Sequence, residues 1–208
     1  MANYTIDNFI NLLENYKISL NEILEIRKFL NRPFTRHPLG FYSCTLLEEQ
    51  PFKIRLHYWN PLVTNDLQSS ELMIHDHIFN FKSWIMSGSI ENIEYTKDDE
   101  GSEYSIYSGF YEKEYSILRK TPDFIKIREK NTQILKKGES YEMLAGILHK
   151  TRSLESATFT VLLTEDTNLN KPLVLGSKEI RDAEYIYKRS EVNEADISKI
   201  LAPLLTIK

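Results

Sequence analysis

Two histidines one residue apart, His75 and His77, stand in the apolar, aromatic stretch ELMIHDHIFNFKSWIMSG. In a β-strand, side chains at i and i+2 share a face, so the pair is expected to point one way and Asp76 the other. Two such imidazoles furnish two nitrogens to one metal ion. A catalytic metal usually takes three protein ligands and keeps a position open. The plain alternative is a pair of core histidines hydrogen-bonded to backbone, although burying two neighbouring imidazoles without a metal or partner is costly. A third ligand must come from elsewhere among the five histidines, His37, His57, His75, His77 and His149. His149 stands in KKGESYEMLAGILHKTRS, a strand–turn–strand pattern with Gly146 three residues before it.

Other candidates follow from shared strand faces. Arg55 and His57 lie two apart in FKIRLHYW. A guanidinium inside a barrel needs a carboxylate partner or an anionic substrate, so Arg55 is a candidate anion clamp, with a rim salt bridge as the alternative. His57 is a candidate pocket residue or a packed polar wall residue. Tyr141 joins these two as a candidate catalytic residue. Tyr58, Trp59, Trp84 and Tyr95 are further aromatic residues able to line a pocket, although aromatics in a barrel are mostly core. Phe79 and Phe81 read as core near the histidines, Arg152 as a residue on the face opposite His149, and His37 as a loop residue. No motif surrounds the single cysteine, Cys44.

The elements that must position these groups are mostly strands. The first thirty residues carry apolar residues at threes and fours and read as helices, the second over about 21–31, capped by Asn21 and ended by NRP. From Gly40, about ten short β-rich runs alternate with turn signals such as EEQP, KDDEGSE and KKGES. That spacing predicts an antiparallel barrel or sandwich. Residues 192–205 read as a closing helix. The expected organisation is one domain: a helical segment over 1–38, a β-barrel over 39–178 with an insertion around 97–130, and a C-terminal segment with a helix over 179–208.

The whole chain bounds the function. It has 208 residues, enough for one domain with a sizeable core. Net charge is −4 with no long basic run, which argues against nucleic acid as a partner and against a polybasic membrane patch. No apolar run approaches the ~18 residues of a membrane span. The polar, acidic N-terminus does not read as a signal peptide. One cysteine allows no intrachain disulfide, which points to a reducing, cytoplasmic home.

The histidine spacing resembles the cupin superfamily, which carries two motifs on a small β-barrel. In the first, His75 and His77 form the H-x-H and Gly88 the closing glycine, but Ser69 replaces the opening glycine and Phe81 stands at the glutamate ligand. In the second, Gly138, Gly146 and His149 keep the spacing, whereas Leu144 replaces proline and Ser153 replaces asparagine. The interval of 72 residues from His77 to His149 is long for the family, and the tyrosine- and acid-rich stretch from Lys97 to about Lys130 reads as an added hairpin or two over the barrel mouth.

The missing glutamate leaves a three-histidine set. Within the cupins this resembles the thiol dioxygenases of the cysteine dioxygenase type, whose first motif also begins HDH. That resemblance implies a mainly β, cupin-type barrel and mononuclear non-haem Fe(II), with Zn, Ni or Mn as other metals the site would accept. It also implies His75, His77 and His149 as ligands, Arg55 gripping a substrate carboxylate, O2 and a small polar thiol or amino-acid-like molecule as reactants, and a homodimer. Readings of other classes stay open: a cupin that binds a metal or small ligand without turnover, a metal-independent sugar-epimerase type with a histidine base, or a structural barrel.

Overall fold

The computed structural model describes residues 4–59, 70–112, 114–155 and 157–205. Two helices come first, α1 (Ile6–Glu14) and α2 (Leu20–Phe29). The Thr5 hydroxyl caps α1 by accepting from the Asn8 amide at 3.3 Å. The cap of α2 lies two residues before Asn21, the cap expected from the sequence. Ser19 takes that role because Glu22, three residues on, completes a reciprocal capping box: the Ser19 hydroxyl accepts from the Glu22 amide at 3.3 Å, and the Glu22 carboxylate accepts from the Ser19 amide at 2.8 Å.

The body is mainly β, in two antiparallel sheets. The first contains β1 (Phe34–Arg36), β2 (Phe41–Glu49), β3 (Phe52–Trp59), β5 (Phe79–Ser87), β8 (Ser140–Met143), β10 (Thr158–Asp166) and β13 (Glu191–Val192), in the order β13-β1-β2-β3-β10-β5-β8. The second contains β4 (Ile74–His75), β6 (Ser89–Glu112), β7 (Tyr115–Lys136), β9 (His149–Ser153), β11 (Leu173–Ser177) and β12 (Glu184–Lys188), in the order β11-β4-β9-β6-β7-β12. Strand β6 pairs with β9 through Ile90–Glu94 and with β11 through Tyr104–Ser108, which curls this sheet on itself. Helix α3 (Glu194–Leu205) closes the chain. Thus the mainly β architecture read from strand and turn spacing, with the helices read from apolar periodicity at both ends, is the architecture found.

Gly88 carries the chain from β5 to β6 at φ +73°. A Cβ there would sit 2.3 Å from the Thr158 hydroxyl oxygen, so both the turn and the close approach require glycine. The stretch from Lys97 to Lys130 is the far part of one long hairpin made by β6 and β7. Register shifts near Lys97, Ser102 and Ser105 bend it, and its last paired residues are Glu112 and Tyr115.

Helices α1 and α2 cover the outer face of the first sheet. Phe9, Leu13, Ile23 and Ile26 pack there with Leu46, Ile54, Leu56, Tyr58, Trp84 and Val161 in the largest apolar cluster. The inner face of that sheet fronts the cavity described below. Among the described residues, no helix is long and apolar enough to cross a membrane.

Candidate metal centre

Strand pairing brings the histidines together. His75 ends β4 and lies directly across from His149, the first residue of β9. His149 is also in register with Glu94 of β6. His77 follows β4 in the connection to β5, and its carbonyl accepts from the Gly146 amide at 2.9 Å. The Ala145 amide donates to Asn80 Oδ1 at 3.0 Å. Two hydrogen bonds therefore tie the turn preceding His149 to the backbone that follows the H-x-H pair. Position 69, where the family's first motif has its opening glycine, lies outside the described residues.

The three imidazoles converge through their Nε2 atoms. His149 Nε2 is 3.3 Å from His75 Nε2 and 3.1 Å from His77 Nε2. All three potential ligand atoms lie within 4.8 Å of one another. Bonds from imidazole nitrogen to a transition metal are about 2.0–2.1 Å, so two ligands on one ion cannot stand more than about 4 Å apart, and the contacts through His149 fall inside that limit.

The hydrogen bonds on the far side of the rings test whether a cation fits. His75 Nδ1 is 3.0 Å from the Met73 carbonyl. A carbonyl only accepts, so this nitrogen carries the proton and Nε2 of the neutral ring is a bare lone pair. His149 Nδ1 faces Asn92 Oδ1 at 3.1 Å, and the Thr151 hydroxyl donates to that same oxygen at 3.0 Å. His149 Nε2 is thereby also a lone pair. Two lone pairs 3.3 Å apart in a buried site repel unless a cation lies between them, so the residues fit a metal. The carbonyl and amide fix tautomer and ring orientation, as groups behind metal-binding histidines generally do. Burial pushes the pKa of His75 below the usual imidazole value, and those of His77 and His149 well below it, which keeps all three neutral and able to ligate.

Phe81, the residue at the glutamate position of the motif that the sequence resembles, packs beside the histidines. Its ring meets His77 edge-on at 5.4 Å and lies 6.0 Å from His149, while Phe79 stacks on His77 at 4.7 Å. The neighbouring Lys82 points away, paired with Glu14 at 2.8 Å and Glu142 at 3.2 Å.

The histidines lie on the wall of a cavity of about 730 Å3 between the sheets. All five histidines of the chain line it. Arg55, His57 and Tyr141, singled out in the sequence, are also on its wall. The Arg55 guanidinium lies over the Phe79 ring at 4.9 Å. His57 packs against Phe41 at 4.5 Å, and burial, with Arg55 adding, brings its pKa down to about 3. The Tyr141 hydroxyl, hydrogen-bonded with Thr151 and Ser83, is pushed up to about 12 by burial.

Other residues fall elsewhere. Trp59 lines the cavity, but Tyr58 and Trp84 belong to the apolar cluster under the helices and Tyr95 to a separate cluster around Ile127. Arg152 is exposed and paired with Glu91 at 2.5 Å. Cys44 is buried in the helix-side cluster with its thiol pushed up to about 12 by burial.

Asp76 corrects the alternation argument. It was expected to face outward, yet it is buried, lines the cavity and accepts from the Leu173 amide at 2.6 Å. Strand β4 ends at His75, so period-two alternation no longer governs the next residue. His37 is in a loop, as expected, but stacks on Phe41 at 4.2 Å and faces the cavity. Asn92, not singled out in the sequence, is a polar residue inside the alternating strand pattern SIENIEYT, the one available hint of an inward role.

No known family profile and no curated protein sequence matches the chain. Among solved structures it is similar to a Bacillus subtilis oxalate decarboxylase variant, at 13% identity and TM-score 0.40, covering 68% of this chain and 29% of that one. It is similar to hydroxypropylphosphonic acid epoxidase from S. wedmorenis, at 12% identity and TM-score 0.39, covering 64% and 55%. A conserved Streptococcus pyogenes protein of unknown function matches at 18% identity and TM-score 0.34, covering 62% and 76%. The chain thus spans under a third of the decarboxylase's length. Identities this low carry neither substrate nor activity across.

Proposed function

We propose that the chain is a metal-dependent cupin-type enzyme, a mononuclear non-haem Fe(II) oxygenase acting on a small anionic molecule, with His75, His77 and His149 as the ligands. The observation that carries this reading is the bare Nε2 of His75, 3.3 Å from that of His149 in a buried site. Iron(II) held there by three neutral imidazoles would supply O2 activation and a Lewis-acid anchor for the substrate, with open positions for both.

The chain's own residues supply binding and orientation. Met73 and Asn92 hold the proton on Nδ1 of His75 and His149 and aim their Nε2 atoms inward. Phe79 and Phe81 keep that side of the site apolar and exclude water. Arg55 offers guanidinium donors to a substrate carboxylate, and His57, neutral at physiological pH, lines the wall beside it. Tyr141 keeps its phenolic proton and acts as a neutral hydrogen-bond donor. A histidine base without metal is less well supported, because a general base works best with a pKa near the operating pH and burial lowers all three rings.

The test is iron content after anaerobic purification, followed by O2 uptake with cysteine and related thiols. About one iron per chain and thiol-dependent uptake supports the reading. Protein that holds metal but consumes no O2 with these thiols or with small mono- and dianions is a binding protein, and protein that fails to take up added Fe(II) has no such centre.

A further inference from the structure

The charge of the cavity differs from that of the chain. The whole protein is acidic, with a net charge of −4. The cavity wall instead carries Arg32, Arg36, Lys53, Arg55 and Arg189 against two carboxylates, Asp76 and Asp166. Lys53 pairs with two carboxylates, Glu48 at 3.4 Å and Asp166 at 3.2 Å. Asp76 is engaged by the Leu173 amide. Arg32 and Arg36 are exposed, so water screens them.

Arg55 and Arg189 remain. Arg55 stands mid-strand in β3 with its guanidinium over Phe79, and no hydrogen bond or ion pair to it is found among the described residues. Arg189 arrives from the far end of the chain, in the link between β12 and β13. Its Nε donates to Ser116 Oγ at 2.5 Å, and its guanidinium carbon lies 4.6 Å from the centre of the Tyr111 ring. It too lacks a carboxylate partner among the described residues. Burial lowers the Arg55 pKa and the charge of Arg189 adds to this, while Tyr111, Asp166 and Glu48 act on it in the opposite direction without forming an ion pair.

Two half-buried guanidiniums thus face one cavity with no ion pair to either among the described residues, an arrangement suited to receiving an anion. Each presents a planar fork of donors suited to a carboxylate or phosphonate. A monoanion satisfies one fork and leaves the other bare.

We propose that the cavity takes a small molecule with two anionic groups, one held by Arg55 and the other by Arg189. This rests on the reading of the three-histidine centre for where the reacting part of that molecule lies, and it narrows the substrate class to dianions such as dicarboxylates or carboxy-phosphonates. Arg189 is then a specificity residue contributed by the C-terminal segment.

The test is calorimetric titration of the full chain, with metal content measured on the same sample and a chelator-treated sample run in parallel. The probes are butyrate, succinate and 3-phosphonopropionate. Succinate or the phosphonate should bind at least tenfold more tightly than butyrate, and the tighter of the two names the second anionic group. Arg189→Gln should bring dianions down to the butyrate level and leave butyrate unchanged, whereas Arg55→Gln should weaken every probe at least tenfold. Arg189→Lys, which keeps the charge and guards against misfolding, should retain part of the preference. Equal binding of mono- and dianions to the unmodified protein, no binding of any probe, or an unchanged preference in folded Arg189→Gln overturns the proposal. Dianion preference in a sample that cannot take up metal supports it and removes the metal centre instead.

Discussion

The two faces of strand β3 are made from alternate residues of one short sequence, and they do opposite things. Ile54, Leu56 and Tyr58 are buried under α1 and α2 in the largest apolar cluster. Arg55, His57 and Trp59 line the cavity beside the three histidines. Strand β2 divides the same way, with Cys44 and Leu46 under the helices and Ser43 and Thr45 on the cavity side. The helix face contributes stability by excluding water from apolar surface, without directional demands. The cavity face holds charged and polar groups whose value depends on direction and on what occupies the space. The helices stabilise a sheet whose other side is then free to carry groups that stabilise nothing by themselves.

Substitutions on neighbouring residues break this comparison most sharply. Leu56→Ala should cost about 2–5 kcal/mol of stability by leaving a void under the helices, read from denaturant unfolding, with metal content unchanged. Arg55→Met, one residue away, should leave stability within about 1 kcal/mol or raise it, because a half-buried charge with no ion pair among the described residues is removed, yet it should abolish anion binding. A large stability loss in Arg55→Met would mean that the two faces are not separable.

Behind the site, Asn92→Ala should lower metal affinity by about 10–100-fold, the usual cost of losing a group that orients a metal-binding histidine. Chelator competition measures it. Unchanged affinity would mean that strand pairing alone aims the His149 ring.

Acid should separate the faces next. Burial depresses the pKa of all five histidines in the folded chain, that of His57 to about 3. The unfolded chain takes up these protons below about pH 6.5. Their contribution is therefore complete above pH 6.5 and is lost as pH falls toward the folded values, at up to about 1.4 kcal/mol per pH unit for each histidine. Asp76, pushed up to about 6 by burial, opposes with a single proton. Chelator-treated protein should thus lose stability steeply from pH 7 to 5, and His57→Phe should make that slope shallower. A flat profile would contradict burial of neutral imidazoles on the cavity face.

The spacing of His75, His77, Gly146 and His149 was readable because local geometry fixes it: one strand end and one turn. The face shared by Arg55 and His57 was readable because β3 is regular throughout. The inward turn of Asp76 was not, because β4 stops at His75 and alternation lapses with it. Asn92 looks like any polar residue in an alternating strand, and only the pairing of β6 with β9 puts it behind His149. Arg189 and His37 reach the cavity through loops whose course depends on the whole fold, so no local pattern announces them.

The smallest effect expected is at Arg152. It lies three residues from His149 but is exposed and paired with Glu91. Arg152→Ala should leave metal content and anion binding unchanged, since exposed ion pairs contribute little. A loss of either would put this residue in the site after all.

X-ray absorption at the iron edge, on anaerobically reconstituted protein and its His75→Ala variant, addresses the centre most directly. The account predicts about one iron per chain with three imidazole nitrogens in the unmodified protein, and no retained iron in the variant while its far-ultraviolet spectrum stays native. An iron without imidazole ligands, or equal iron in the two proteins, would contradict it.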